Sequence, residues 1–419
     1  MILGVLFVPT IHLGKLKVSS YWVVSTIGAL VLLLLGQSDW GRIGEALIAD
    51  TAINPLKILV LFISMTILSI YLDELGFFSY LAARTLRYAG TSQKRLFLYL
   101  YLTVSVLTIF TSNDIIILSF TPFICYFAKN AKIDPIPYLA AEFVAANTWS
   151  MTLIIGNPTN IYLGTANGID FLPYLKVMFF PTLAAGAGAF FLLWLLFRKK
   201  LSMPIKGEAK KEVIEDPLKL TIGLIHLGVC TLLLAVSAYI GLEMWLISAL
   251  AVLSLFVWIA VISLVRKEIP HALGRCLKRA PWQLIPFVIS MFVMTIVLAD
   301  NGVTSSIGAF LGNEATLWRY GFASFAAANL VNNIPMSVLF CSIMESASPL
   351  VMQKAVYATV VGSNVGAFMT PIGALAGIMW SSILNRHGLK FGYLDFLKIG
   401  VTIAIPTLCI ALLVLQIIL

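Results

Sequence analysis

Charged side chains are scarce in this sequence of 419 residues: they make up 11% of the chain, against 60% for hydrophobic residues. The mean hydropathy is +0.97. So few polar side chains cannot cover the surface of a water-soluble globule of this length. Apolar runs close to the ~20 residues that a bilayer span requires occur at residues 21–36, 58–72, 172–197, 220–240, 245–265 and 394–419. The composition therefore predicts an all-α membrane protein that crosses the bilayer several times.

Cysteine and histidine are rare as well. The five cysteines and four histidines are scattered without the spacing of metal ligands, so we predict no metal site and expect the thiols to be small buried apolar groups. The sequence contains no nucleophile with a matching base and no Walker A motif. This argues against an enzyme and against ATP hydrolysis in this chain. The class that remains is a transporter that needs no cofactor beyond a coupling ion, either a proton or sodium.

The net charge of +9 has the sign expected of a nucleic-acid-binding protein, but its distribution indicates membrane topology instead. Lysine and arginine collect in segments that can all lie on one side of the bilayer, at residues 15–17, 84–95, 129–132, 198–211, 266–279 and 386–390. The positive-inside rule makes that side cytoplasmic. We therefore predict a multi-pass protein of the inner membrane, with the lipid bilayer as a partner and no nucleic-acid partner.

An internal repeat runs through the chain. Residues 54–76 align with residues 280–302 at a constant offset of 226, with identical pairs at Pro55/Pro281, Ile63/Ile289, Ser64/Ser290, Met65/Met291, Ile70/Ile296, Leu72/Leu298 and Gly76/Gly302. The charge map places the two copies in the membrane with opposite orientations. Repeats of inverted topology with polar interruptions at matching places are typical of secondary transporters.

Each repeat contains an apolar stretch that is too long for one span and has a polar centre. In residues 96–127 that centre is Ser112, Asn113 and Asp114, and in residues 317–344 it is Asn332 and Asn333. Both ends of residues 96–127 require the cytoplasm, so we predict a re-entrant helical hairpin whose tip lies at membrane depth. Such a tip must be buried in protein or face a water-filled cavity, because lipid cannot satisfy its backbone groups.

The helix after each hairpin is predicted to break. Glycine and proline interrupt it at residues 156–160 and 369–373, which exposes backbone carbonyls at one half-helix end and N–H groups at the other. We expect the hairpin tips and broken helices to converge near the midplane. The predicted substrate and ion site comprises Ser112, Asn113, Asp114, Asn147, Gly156, Asn157, Pro158, Thr159, Asn160, Asn332, Asn333, Ser363, Asn364, Thr370, Pro371 and Gly373.

The domain organisation follows from these features. We predict N-terminal membrane helices of a scaffold at residues 1–49, a first inverted repeat at 50–197, a cytoplasmic linker at 198–217, further scaffold helices at 218–279 and a second inverted repeat at 280–419. Residues 1–13 lack the basic leading segment of a signal peptide, so we expect a short first helix there. Residues 77–88 have the pattern of an amphipathic arm at the cytoplasmic interface.

The motifs resemble those of the arsenite and antimonite efflux permeases of the ion transporter superfamily. The resemblance spans roughly residues 50–419 and rests on SND at 112–114, GNPTN at 156–160, NNIP at 332–335, VYATVVGSNVG at 356–366 and TPIGALAGIMW at 370–380. It implies two inverted repeats with re-entrant hairpins and broken helices, and an elevator-like movement of a transport domain against a scaffold. It also implies a homodimer and a cytosolic ATPase as partners, with a small inorganic solute or anion as substrate.

Three functions stay open at this point. Proton-coupled efflux of arsenite or antimonite as a neutral hydroxide is favoured by the motifs of the second repeat and by Asp114. Sodium-coupled uptake of a di- or tricarboxylate-type anion is favoured by GNPTN at 156–160. A sodium/proton antiporter would use Asp114 for both ions. We predict that Asp114 is the coupling residue, since an ionisable group at membrane depth is costly; its alternative role is to cap the following helix. Glu142 either lines the site or lies towards its helix end.

Overall fold

The computed structural model describes residues 10–13, 16–49, 54–205, 213–345, 347–389 and 391–419, and nearly all of the ordered structure in them is helical. A short antiparallel pair of strands comes first, β1 (Thr10–Leu13) and β2 (Leu16–Ser19). The helices that follow are α1 (Ser20–Leu34), α2 (Trp40–Ile48), α3 (Pro55–Glu74), α4 (Phe77–Ala89), α5 (Gln93–Phe110), α6 (Asn113–Ala131), α7 (Ile136–Trp149), α8 (Pro158–Ala166), α9 (Phe171–Phe197), α10 (Pro217–Ala235), α11 (Ser237–Ile240), α12 (Met244–Val265), α13 (His271–Arg279), α14 (Leu284–Asp300), α15 (Val303–Leu311), α16 (Thr316–Val331), α17 (Asn333–Met344), α18 (Pro349–Gly366), α19 (Leu375–Arg386) and α20 (Tyr393–Ile418). Two 3₁₀ turns, Ile154–Gly156 and Lys200–Ser202, complete the set.

The predicted first helix is wrong where it overlaps the described residues. Thr10–Leu13 forms β1, which pairs with β2 so that Ile11 lies opposite Val18. Threonine, isoleucine and valine favour extended backbone, and residues 14–17 contain two lysines that interrupt the apolar run. Residues 1–9 lie outside the described residues. The next predicted span, residues 21–36, agrees closely with α1.

Several helices are long and apolar enough to cross a membrane. Within the described residues there are six, at Pro55–Glu74, Phe171–Phe197, Pro217–Ala235, Met244–Val265, His271–Asp300 and Tyr393–Ile418. Each coincides with an apolar run or repeat segment identified in the sequence. The four windows in α9, α10, α12 and α20 are at most 39% buried within the protein, as expected of helices that face lipid. The multi-pass helical fold predicted from composition is confirmed.

The repeat found in the sequence is also a repeat of backbone conformation. Gly76 and Gly302, an identical pair at the 226-residue offset, both adopt the left-handed region, with φ of 76° and 72°. Each ends a long helix, α3 or α14, and starts a short one, α4 or α15. Glycine populates this region without the steric cost that a Cβ brings. The two glycines therefore make the same turn in each repeat.

The two repeats are interleaved through crossed packing. Helix α1 packs on α14 of the second repeat, and α12, before the second repeat, packs on α3 of the first. Likewise α6 contacts α19, and its counterpart α17 contacts α8. The last long helices of the two repeats, α9 and α20, pack on each other. These contacts between the repeats bring the hairpins and broken helices of both into one core.

The ends of α3 and α14 carry matching ion pairs. Asp73 accepts from Arg279 at 2.6 Å, and Glu74 pairs with Arg275 and Arg279. At the end of α14, Asp300 pairs with Arg42 at 2.7 Å. Each pair joins a largely buried carboxylate to a partly exposed arginine. Because arginines already balance the charges of these acidic residues, we do not assign them to coupling.

Candidate functional site

The first broken helix is interrupted between α7 and α8, at residues 150–157, which we call the first break. Gly156 lies so close to the end of α7 that a Cβ there would be 2.3 Å from the Ser150 carbonyl oxygen. The chain can therefore fold back on itself at this point only if the residue is glycine. Pro158 then begins α8, at a helix position where its missing N–H has no consequence.

Side-chain amides satisfy the backbone groups that the first break exposes. Asn160 donates from Nδ2 to the carbonyls of Ser150 at 2.7 Å and Leu153 at 3.3 Å. Asn157 caps the start of α8, since its Oδ1 accepts from the backbone N–H of Thr159 at 3.1 Å and from the Thr159 hydroxyl. The GNPTN motif at 156–160 thus stabilises the break from within.

The second break comprises residues 367–374, between α18 and α19. A glycine again allows the close approach of two backbone segments, and a different side-chain amide supplies the hydrogen bonds. A Cβ on Gly373 would be 2.5 Å from the Gly366 carbonyl oxygen. The Gly366 carbonyl accepts from Nδ2 of Asn329 at 3.0 Å, and Oδ1 of Asn329 accepts from the Thr370 hydroxyl at 2.6 Å. Asn329 lies on α16, so a hairpin helix supplies the amide that Asn160 supplies in the first break.

The tip of the second hairpin, formed by α16 and α17, is attached to the second break. Asn332 adopts a positive φ of 77°, and its Nδ2 donates to the Ile372 carbonyl at 3.1 Å. The backbone N–H of Asn333 donates to the Gly373 carbonyl at 3.0 Å. The backbone polar groups of the tip are thereby satisfied within the protein, as a tip at membrane depth would require.

Two fully buried asparagines organise the centre of the site. Asn147, on α7, accepts at Oδ1 from Nδ2 of Asn113 at the tip of the first hairpin, formed by α5 and α6, over 3.1 Å. Asn364, on α18, contacts the first break: its Oδ1 accepts from Asn157 at 2.9 Å and its Nδ2 donates to Asn160 at 2.6 Å. The two amides occupy corresponding places in the repeats but bind different partners.

Some oxygen atoms of this core have no hydrogen-bond partner within the described residues. Among the predicted site residues they are Oδ1 of Asn113, Oγ of Ser112 and Oγ of Ser363. A buried acceptor without a partner costs about 1–3 kcal/mol. Uncharged oxygens of this kind are the ligands that a sodium ion, a water molecule or a substrate hydroxyl requires.

A cavity of about 1180 Å³ opens beside this core. One wall is formed by α1, α3 and the residues that lead into α14, including Tyr21, Thr66 and Gln283; the other is formed by α6 and α19. Of the predicted site residues, Asp114 and Pro371 line the cavity directly. The Asn113–Asn147 contact and the Asn364 cluster lie buried behind this wall.

Charged side chains of both signs line the cavity. Asp114, half-buried in the first turn of α6, is the acidic member among the described lining residues. Lys278, Arg279 and Arg386 also line the cavity, and all three lie in segments that the positive-inside rule predicts to be cytoplasmic. The topology predicted from the sequence therefore places the opening of the cavity on the cytoplasmic side.

The N-termini of two helices, which carry the positive ends of the helix dipoles, lie at the cavity. Neither α6 nor α19 has a side-chain cap on its first N–H groups, whereas α8 is capped by Asn157. Helices α6 and α19 pack together, and Asp114 and Leu375, in their first turns, both line the cavity. Uncapped N–H groups at a helix start attract oxygen atoms and negative charge.

The sequence missed part of this arrangement. Ser150, which donates to Asn364 Oδ1 at 3.0 Å, and Asn329 belong to the hydrogen-bonded core, while Tyr21 and Thr66 line the cavity from the opposite wall. Asn329 and Ser150 each lie three residues from a predicted site residue, a signal that helical spacing could have used. Single polar residues such as Thr66 give no such signal.

Glu142 does not line the cavity. It is fully buried on α7, where both of its carboxyl oxygens accept from the Thr121 hydroxyl, at 2.9 and 3.0 Å. The described lining residues of the cavity do not include it. The question left open by the sequence is thus answered: Glu142 lies within the helical core behind the site.

Comparison with known proteins identifies the family. The family model described as "CitMHS: Citrate transporter" matches residues 11–359. The chain belongs to this family. It is therefore a membrane transporter and not an enzyme, and the multi-pass inner-membrane location predicted from the sequence is confirmed.

Relatives of this CitMHS family member carry arsenical names. It is 28% identical over 370 residues to the "Arsenical pump membrane protein" of Escherichia coli (strain K12), covering 84% of each chain. It is 25% identical over 409 residues to the "Putative arsenical pump membrane protein" of Bacillus subtilis (strain 168), covering 90% of each. The resemblance to arsenite efflux permeases stated from the motifs is confirmed by these matches.

A solved structure shares the fold. The YdaH transporter of Alcanivorax borkumensis, whose crystal structure is described as having an unusual topology, aligns with a TM-score of 0.57 at 14% identity. The alignment covers 99% of this chain and 94% of that one. At this identity the likeness concerns the fold alone, and it extends over nearly the whole length of both proteins.

Proposed function

We propose that this transporter exports arsenite or antimonite from the cytoplasm in exchange for protons. The observation that carries the proposal is Asp114: it is the acidic side chain among the described residues that line the cavity, and it is adjacent to the Asn113–Asn147 amide contact. We propose that this cavity faces the cytoplasm. No described lysine or arginine forms an ion pair with it. A carboxyl at membrane depth without a fixed counter-ion is suited to gain and lose a proton.

The surroundings of Asp114 match a small neutral solute rich in hydroxyl groups. Arsenite at neutral pH is such a solute, and its oxygens both donate and accept hydrogen bonds. The uncapped N–H groups of α6 and α19 would donate to it, and the free Oδ1 of Asn113 would accept from it. An ionised Asp114 would accept from the hydroxyl groups of the solute, and protonation would remove that acceptor, so substrate and proton would compete for the same carboxyl.

Coupling then follows from this competition. In the inward-facing state the substrate enters the cavity and Asp114 releases its proton to cavity water. The loaded transporter reorients, the substrate leaves on the outer side, and Asp114 takes up a proton there for the return step. An exchange in which one carboxyl carries either the proton or the substrate needs no ATP hydrolysis by this chain.

An elevator-like movement accounts for the reorientation. The proposed transport domain consists of the two hairpins, the two broken helices, α9 and α20, and the scaffold consists of the remaining long helices. Support comes from the cavity, which separates α1, α3 and the start of α14 from α6 and α19. The largely exposed helices α10 and α12 leave the scaffold free to form the proposed homodimer. A cytosolic ATPase, the other proposed partner, would bind at the cytoplasmic face.

Sodium-coupled uptake of an inorganic or organic anion is the second candidate. The basic residues Lys278, Arg279 and Arg386 that line the cavity and the family description as citrate transporters favour an anion. The free oxygens of Ser112 and Asn113 would then hold sodium. Asp114 counts against this candidate, because a fixed negative charge next to the site repels a polyanion.

Transport by everted membrane vesicles separates the two functions. We expect arsenite to accumulate when a proton gradient is imposed, with or without sodium, and to stop accumulating with Asp114→Asn. Asp170→Asn is the matched control, since Asp170 is exposed at the start of α9 and its side chain makes no capping hydrogen bond. Sodium-dependent accumulation of a carboxylate, with no arsenite flux, would establish the second function instead.

A further inference from the structure

Two smaller cavities contain residues of α8, the second half of the first broken helix. The α14 pocket, of about 270 Å³, lies between α2, α8, α14 and α17. The α3 pocket, of about 290 Å³, lies between the start of α3, the end of α8 and the helices α11 and α12. The proposed mechanism uses neither of them.

The α14 pocket is the counterpart of one part of the large cavity of about 1180 Å³. Equivalent positions follow from the offset of 226 residues between α3 and α14, from the starts of α6 and α17 at Asn113 and Asn333, 220 residues apart, and from the break glycines Gly156 and Gly373, 217 residues apart. At these offsets, residues of the large cavity and of the α14 pocket form the pairs Thr66 and Phe292, Leu118 and Val338, and Met379 and Tyr162.

The α3 pocket is the counterpart of another part of the same large cavity. At the same offsets, residues of the large cavity and of the α3 pocket form the pairs Gln283 and Lys57, Leu284 and Ile58, and Ser382 and Thr165. The neighbouring helices match as well. Tyr21, at the start of α1, lines the large cavity, and Trp245, at the start of α12, lines the α3 pocket, while α1 packs on α14 as α12 packs on α3. The two small pockets together therefore hold the positions that the large cavity occupies in the inverted arrangement.

The equivalent positions are more open in the large cavity than in the small pockets. Val338 and Tyr162 are 1% and 4% exposed, whereas their counterparts Leu118 and Met379 are partly exposed. Helix α8 contributes Tyr162 to one small pocket and Thr165, three residues later, to the other, and it packs on α3. The counterparts of these two helices, α19 and α14, both line the large cavity.

The large cavity and the α14 pocket lie towards opposite ends of α14. The large cavity is lined by Leu284, at the start of this helix, and the α14 pocket by Ala299, near its end. This separation is about 22 Å along a helix axis, which is most of the ~30 Å hydrocarbon core of a bilayer. Arg42 and Lys57, which line the small pockets, lie outside the segments predicted to be cytoplasmic. The topology predicted from the sequence therefore places the small pockets towards the external face.

We propose that the α14 and α3 pockets are the closed form of an outward-facing cavity through which the transported solute leaves. Movement of α8 and α17 away from α3 and α14 joins the two pockets and extends them to the hairpin tips, while α6 and α19 close the large cavity. The lining of the α14 pocket combines hydroxyl groups, on Tyr162 and Ser342, with charges of both signs, on Arg42 and Glu345, which suits a small polar solute. This inference rests on the proposed movement of the transport domain, and on neither the substrate nor the coupling ion.

Labelling of introduced cysteines with a membrane-impermeant thiol reagent tests the outward-facing cavity. Val338→Cys and Leu118→Cys, at equivalent positions of the two repeats, would be made separately in the full-length protein with its five native cysteines replaced by alanine. We expect the reagent to label Val338→Cys in right-side-out vesicles and Leu118→Cys in everted vesicles. The cysteine-free protein is the control for both.

A cross-link between α3 and α6 distinguishes a passage that opens from a static pocket. Asp73 and Ser119 are hydrogen-bonded between these helices, so cysteines at the two positions can be joined by a short cross-linker that consumes both thiols. The rate at which Val338→Cys is labelled from outside should then fall by about tenfold or more, since the locked protein no longer visits the outward-facing state. Equal rates with and without the cross-link, or labelling of Val338→Cys only from the cytoplasmic side, would overturn the proposal.

Native Cys341 is a second reporter if Val338→Cys does not fold. It lines the α14 pocket and is 8% exposed. With the other four cysteines replaced by alanine, Cys341 should be labelled from the same side of the membrane and should respond to the cross-link in the same way. Folded protein in which neither cysteine is labelled from outside would overturn the proposal.

The same proteins separate this proposal from the proposed function. If labelling from outside occurs and is slowed by the cross-link, but proteoliposomes show no proton-linked arsenite transport, the outward-facing cavity stands and the export function fails. If transport is proton-linked and neither cysteine is labelled from outside, the export function stands and the outward-facing cavity fails.

Discussion

Asn364 of the second repeat is inserted into the break of the first, where its Nδ2 donates to Oδ1 of Asn160 over 2.6 Å. Its own Oδ1 accepts from Asn157 at 2.9 Å and from the Ser150 hydroxyl at 3.0 Å. One amide therefore holds together a region in which intrahelical hydrogen bonds are lost. The two repeats are joined at this point, within the membrane and next to the proposed site.

Replacing Asn364 with alanine should destabilise the protein and abolish transport. The substitution leaves the Asn157 amide and the Ser150 hydroxyl without their acceptor, and each buried group without a partner costs about 1–3 kcal/mol. Thermal unfolding in detergent, followed by fluorescence-detected gel filtration, should show a lower melting temperature. Asn313→Ala, at an exposed loop position, is the control. Equal melting temperatures for both variants would show that the Asn364 cluster is not a structural link.

Alanine should not be tolerated at Gly156 or Gly373. The added Cβ would approach the carbonyl oxygens of Ser150 and Gly366 to 2.3 and 2.5 Å, so the break would have to open. Gly228→Ala provides the comparison, since Gly228 lies in α10 and a Cβ there meets nothing within 4 Å. We expect folded, monodisperse protein from Gly228→Ala and little or none from the other two. Wild-type yield of either break variant would contradict the close approach.

Cross-linking α3 to α6 should lock the transporter inward-facing. The Ser119 hydroxyl on α6 donates to Asp73 on α3 at 2.6 Å, across the proposed boundary between scaffold and transport domain. A short thiol cross-linker on the Asp73→Cys and Ser119→Cys double variant should stop transport, and reductive cleavage should restore it.

The matched pair for this experiment lies within the proposed scaffold. Ser38 donates to Asp300 at 2.8 Å, so Ser38→Cys with Asp300→Cys places two thiols at a similar separation without crossing the boundary. Cross-linking this pair should leave transport active. Full activity of the cross-linked Asp73/Ser119 pair would exclude movement between α3 and α6.

The basic residues that line the cavity discriminate between a neutral and an anionic substrate. Lys278→Gln and Arg386→Gln remove positive charge from the lining, and charge in a cleft raises the local concentration of ions of opposite sign by about tenfold or more. Flux of neutral arsenite should change by less than about twofold, with little dependence on salt. A loss of flux of about tenfold in these variants, together with a similar loss when salt is added to the wild type, would indicate an anionic substrate.

The sequence predicted the elements of this fold that depend on local chemistry. Gly156 and Pro158 marked a helix break because their effects on the backbone are independent of context. The hairpin tips were found for a similar reason, since polar residues in an apolar stretch must lie inside the protein.

The hydrogen-bond partners of the buried asparagines could not be predicted from the same patterns. Asn147 and Asn364 occupy equivalent positions, yet one binds the first hairpin and the other binds the first break. That difference arises from tertiary packing between repeats, which periodicity does not encode. Thr66 and Tyr21 were missed because a single polar residue on an apolar helix has the same pattern whether it faces a cavity or a neighbouring helix.

Proton movement driven by arsenite tests the central claim most directly. Purified protein in proteoliposomes, with no imposed proton gradient, would be given an arsenite gradient while internal pH is recorded with a trapped dye. We predict a proton flux opposite in direction to arsenite, unaffected by sodium, retained in Asp170→Asn and absent in Asp114→Asn. Arsenite flux without proton movement, or proton movement retained in Asp114→Asn, would contradict the account.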